Sequence, residues 1–125
     1  MQRNTKWLGI ATGIVLAAVL ATAGFAQALW SDYEIEKDVP ADGGEVTQNL
    51  PVHAVSSNAR TFNVYKAAGI SGPDTILVPA NATSVNLTVT LPPGDPNTYT
   101  GATVTETNDL GREIVNHDVV YFYSN

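Results

Sequence analysis

The sequence predicts an all-β protein: one small antiparallel β-sandwich, Ig-like or jelly-roll-like, of about seven strands behind a hydrophobic leader. Three observations carry that expectation. Turn formers recur at short intervals, at 40–44, 56–58, 69–73, 79–82, 92–97 and 108–111. The runs between them are rich in Val, Thr, Tyr and Ile, residues that suit a pleated, half-buried surface. No segment after residue 29 carries a sustained 3.6-residue apolar period.

The leader comes first. Arg3 and Lys6 form a short basic region, and Ile10 to Ala26 carries no charge. Ala26-Gln27-Ala28 then offers small residues where a signal peptidase requires them, so 1–28 reads as a cleaved secretory signal with Ala26 the second-choice site. The rival is a retained membrane anchor. The run is about long enough to span a bilayer, but Ala, Gly and Thr make it a weak anchor.

Cleavage after Ala28 leaves 97 of the 125 residues. Lys37, Arg60, Lys66 and Arg112 then face twelve acids, a net charge of −8. Such a surface argues against nucleic acid, which needs a basic footprint. It disfavours anionic lipid too, so the membrane enters only through the signal segment. There is no cysteine. A secreted domain of this size without disulfides draws its stability from packing or from partner subunits.

The strands are read at about 31–38, 45–55, 60–67, 74–79, 84–91, 98–106 and 113–123. "SVNLTVTL" (84–91) alternates Val85, Leu87, Val89 and Leu91 against Ser84, Asn86, Thr88 and Thr90, the period of a half-buried strand. "RTFNVYKA" repeats it with Phe62 and Val64. "TNDLGRE" reads as a hairpin turn with Gly111 at positive φ, pairing 98–106 with 113–123. The prolines of "PPGDPN" exclude a ladder there. "DVVYFYS" is strongly β-forming and uncharged after Asp118; it reads as a central strand rather than an exposed edge.

The segment 29–39 stands apart from the body at 40–125. Leu29, Tyr33, Ile35 and Val39 share one parity; Asp32, Glu34, Glu36 and Asp38 share the other. A strand exposed at a mature N-terminus is free to pair within its own sheet or to complete a neighbour's. Gly43-Gly44 supplies a hinge, and a head-to-tail contact that does not close on itself builds a filament. Leu29, Tyr33, Ile35 and Val39 are the expected donor-strand contacts.

The junction Ala26-Gln27-Ala28-Leu29-Trp30-Ser31-Asp32 resembles that of the TasA/camelysin type of secreted matrix-fibre proteins. The layout of signal, leading strand and sandwich is also similar to archaeal bundling-pilus subunits. The resemblance implies polymerisation by donor-strand complementation, with a second copy of this chain as partner.

Sites for chemistry are few. Asn81-Ala82-Thr83 and Asn86-Leu87-Thr88 are sequons, so Asn81 and Asn86 are candidate N-glycan acceptors. The acids of the leading strand stand about 6.6 Å apart, too far to share one calcium. His53 and His117 read as lone histidines with no suitable second ligand nearby apart from Asp118 beside His117, and no metal or cofactor is expected. With no cysteine, no Gly-x-Ser-x-Gly and no His-Glu-x-x-His, no catalytic residue is assigned and an enzyme is not expected. Tyr65, Tyr99, Tyr121, Phe122 and Tyr123 offer a carbohydrate platform; core packing is the plainer account.

These observations lead to a structural subunit of an extracellular filament, pilus or surface layer. Two alternatives stand beside it: an exported monomeric Ig-like module binding glycan or protein, and a type IV pilin-like subunit that keeps residues 10–30 as a core helix.

Overall fold

The computed structural model describes residues 33–125. The signal peptide, Leu29 and the 10–30 segment lie outside them. Seven strands follow in order: β1 (Tyr33–Val39), β2 (Gly44–Pro51), β3 (Arg60–Lys66), β4 (Thr75–Val78), β5 (Ser84–Leu91), β6 (Tyr99–Thr107) and β7 (Glu113–Ser124). A five-stranded sheet, β1-β7-β6-β3-β4, faces a two-stranded sheet, β2-β5. The chain is an all-β, Ig-like sandwich, and among the described residues no helix is long and apolar enough to cross a membrane.

Alternation decides what is inside. Leu50 on β2 and Val85, Leu87, Val89 and Leu91 on β5 face Phe62 and Val64 on β3, Ala102 and Val104 on β6 and Val120 and Phe122 on β7. All are buried, Phe62, Leu50, Ala102, Val104 and Val120 completely. Burying a side chain of this size contributes roughly 1.5–3 kcal/mol relative to exposure. The small sheet presents its polar parity to solvent, where Thr47 Oγ1 meets Thr88 Oγ1 at 2.8 Å and Asn49 Nδ2 donates to Asn86 Oδ1 at 3.0 Å.

The turn chemistry matches the sequence. Gly111 sits at φ 78° and joins β6 to β7, whose antiparallel register runs from Tyr99↔Tyr123 to Thr107↔Glu113. β7 is an interior strand, flanked by β1 and β6. Gly43, at φ 81°, has no room for a side chain: a Cβ there would stand 2.5 Å from the Leu91 carbonyl oxygen.

One pairing departs from an antiparallel sandwich. β1 lies parallel to β7, in register from Tyr33↔Asp118 to Val39↔Ser124. The first strand therefore forms one edge of the large sheet and closes on the last strand of its own chain. Its alternation holds. Val39 is buried at 2% exposure and Ile35 packs against the core, whereas Glu34 and Glu36 lie on the other face.

That other face carries a second cluster, Val119 and Tyr121 with Tyr99 against it. The Tyr121 hydroxyl donates to Glu34 at 3.0 Å, and the Tyr123 hydroxyl donates to Asn97 Oδ1 at 2.7 Å. Tyr121 and Tyr123 are buried, and Phe122 points into the opposite core. The aromatic residues of β7 are thus divided between two packed faces and form no open carbohydrate platform.

Candidate functional site

The most unusual chemistry sits at one end of the sandwich. The inward parity that gives Ala102 and Val104 on β6, and Val120 and Phe122 on β7, continues along both strands to Glu106 and Asp118. Both acids are buried, at 0% and 1% exposure. Burying an unpaired carboxylate is costly, so each needs partners.

The segment between β2 and β3 supplies them. Pro51 ends β2, and Val52 N donates to Thr83 O at 2.9 Å. The next two amides turn onto Glu106: His53 N donates to Oε2 at 2.7 Å and Ala54 N to Oε1 at 2.9 Å. Two amide donors satisfy a carboxylate well. His53 Nε2 then meets Asp118 Oδ1 at 2.8 Å. Burial raises the Asp118 carboxyl above the usual carboxylate range, and His53 pulls it back in part.

Two cationic or aromatic groups complete the cluster. Arg60 donates through one guanidinium nitrogen to Thr107 O at 2.7 Å and through another to Ala54 O, with its charge 5.0 Å from the centre of the Phe62 ring. Tyr33, at the start of β1, stacks on His53 with ring centres 3.5 Å apart and planes 16° from parallel. The leading strand is therefore clasped at both ends. Tyr33 rests on His53, and Val39 is buried, its carbonyl accepting from Asn125 N at 3.0 Å.

His53 is accordingly not the lone histidine expected from the sequence. Its partner lies 65 residues away, and only the fold of the β2–β3 connection over the sheet brings them together. A signal was present: Glu106 and Asp118 share the parity of Ala102 and Val104 on β6 and of Val120 and Phe122 on β7, which form the core. His117 faces the other way. Its Nδ1 contacts Thr105 Oγ1 at 3.1 Å, and burial pushes its pKa down.

Beside the cluster runs a shallow groove of about 520 Å³, lined by Ala54, Val55, Arg60, Asp109, Leu110 and Ile114 among others. Val55 and Leu110 are exposed at 52% and 81%. Asp109 is held by Ser56 Oγ at 2.5 Å and Asn58 Nδ2 at 3.0 Å, bonds that lower its pKa.

Of the other sequence-derived positions, Asn81 is exposed in a turn at φ 63°. Asn86 is exposed on β5, opposite Asn49. Tyr33 and Ile35 lie with Val39 on the core-facing parity of β1.

Neither a family model nor a curated protein matches the sequence. Among solved structures, the chain is similar to WR4, a C. elegans MSP family member, at 19% identity and a TM-score of 0.53. That match covers 72% of this chain and 92% of WR4. At this identity the likeness establishes the Ig-like sandwich and nothing about binding or assembly.

Proposed function

We propose that this chain is an exported structural module, a subunit of an extracellular filament or surface fibre joined through its leading strand. The observation that carries the reading is the position of β1. It is terminal in the sheet, parallel to β7, and connected to the body through Pro40–Gly44 with two glycines at positive φ. A strand so placed makes the same backbone ladder whether it comes from its own chain or from a neighbour. Leu29, Tyr33, Ile35 and Val39 are its proposed contacts, with β7 and His53 as their receptor. The exposed Asn81, in the turn before β5, and Asn86, on β5, are the proposed N-glycan acceptors.

The test compares the intact exported chain with one lacking residues 29–39, by sedimentation velocity and negative-stain microscopy. Concentration-dependent oligomers or fibres from the intact chain alone support the proposal. They should vanish on deletion, and added 29–39 peptide should restabilise the truncated chain. An intact chain that stays monomeric at every concentration refutes it. Sequencing the mature N-terminus separates this reading from a pilin: a start at Leu29 fits exchange, and a start at Ile10 fits a retained core helix.

A second reading draws on the in-chain ladder and the clasp of Tyr33 on His53. A β1 that stays at home makes the chain a self-contained Ig-like binding or adhesion module, with the groove at Val55 and Leu110 as its contact surface.

A further inference from the structure

We propose that His53, Glu106 and Asp118 form a binding site for a first-row divalent cation such as Zn²⁺. One ligand atom from each of the three lies within 4.8 Å of the other two. The three come from different parts of the fold: the β2–β3 connection, β6 and β7. One imidazole nitrogen with two carboxylate oxygens is a donor set that suits zinc and its neighbours, a fourth position being left for water.

A second observation points to a ligand. Asp118 is 1% exposed, and its Oδ2 has no hydrogen-bond partner among the described residues. It sits on the same carboxylate whose Oδ1 already meets His53. The contact with His53 satisfies Oδ1 and leaves Oδ2 bare; a cation taken by the imidazole in place of that contact gives Oδ2 a partner. Orphaned buried acceptors are rare enough to call for such an account.

The geometry needs little change. Ligand atoms around a tetrahedral zinc stand about 3.4 Å apart at ordinary bond lengths. With the three atoms within 4.8 Å of one another, no pair need shorten by more than about 1.4 Å to reach that spacing. Glu106 keeps both backbone bonds meanwhile, since each carboxylate oxygen has a further lone pair. Those two amides then orient a ligand, as the outer partners of metal sites do. His53, with its side chain 16% exposed beneath Tyr33, is the way in.

Zinc chloride titrated into the metal-stripped intact chain tests the proposal. Calorimetry should give one site per chain, and zinc should raise Tm. D118N and H53Q should each weaken binding at least about tenfold. H117Q should leave it unchanged. Should D118N or H53Q fail to fold, Cu²⁺ bound to the wild-type and H117Q chains gives an independent readout. Its electron paramagnetic resonance should show a single imidazole nitrogen in both. No saturable site in the wild type, binding unaltered in folded D118N, or a nitrogen signal lost in H117Q would each overturn the assignment.

Discussion

Val39→Ala removes two methyl groups from the last residue of β1, a side chain only 2% exposed against the core. Their transfer to water costs about 1.6 kcal/mol at roughly 0.8 kcal/mol per group. The void they leave, of the order of 50 Å³, adds about 1 kcal/mol at roughly 24 cal/mol per Å³. The variant should therefore lose about 2–3 kcal/mol, or roughly 10–20 °C of Tm for a domain of this size. Leu77→Ala, at a site 69% exposed, is the control and should lie within about 0.5 kcal/mol of the parent. Urea unfolding measures both, with the midpoint moving and the slope fixed. A loss under about 0.5 kcal/mol for Val39→Ala would mean that β1 is not docked on a sandwich, its own or another's. The size of the loss reports docking; its dependence on protein concentration reports whose β1 is docked.

Three further outcomes follow from other contacts. Gly43→Ala should be severely destabilising, because its Cβ meets the Leu91 and Pro92 backbone; Gly111→Ala, with open space around it, should cost only the roughly 1–2 kcal/mol of a left-handed residue. His117 is buried with its pKa pushed below 6.5, so the unfolded chain takes up the proton first. Its contribution to stability is present above pH 6.5 and fades as pH falls through the lower folded value; an H117Q chain should lose that part of the pH dependence of Tm. Tyr65 is raised to about 12, by burial first and then by Glu113, which accepts its hydroxyl at 2.6 Å. Ultraviolet titration should show Tyr65 ionising late, and E113Q should bring it nearer 10 without restoring it fully.

The fold was legible because local and global signals agree along most of the chain. In 84–91 the period of two names the strand, its buried face and its limits, and β5 spans those same residues. Gly111 named the β6–β7 hairpin, because a left-handed residue between two β-forming runs has few other uses. The parallel seat of β1 on β7 was not legible. Nothing local sets the direction in which a terminal strand meets one some 85 residues away. The same holds for the His53–Glu106–Asp118 cluster. Each residue alone looks like an ordinary polar side chain, and only the register of β6 on β7 with the β2–β3 connection laid across them assembles the three. The inward parity of Glu106 and Asp118 was the available clue, since a carboxylate on the core face of a strand must find a partner.

Disulfide trapping on the β1–β7 ladder tests the central claim most directly, because the chain has no cysteine of its own. Glu34 and Val119 are register partners, so E34C with V119C places one thiol on each strand. Oxidised at the concentration of the exported material and run on a non-reducing gel, strand exchange yields a ladder of covalent multimers that collapses on reduction. A single band at monomer mass, with both thiols consumed, would place β1 in its own chain and contradict the account.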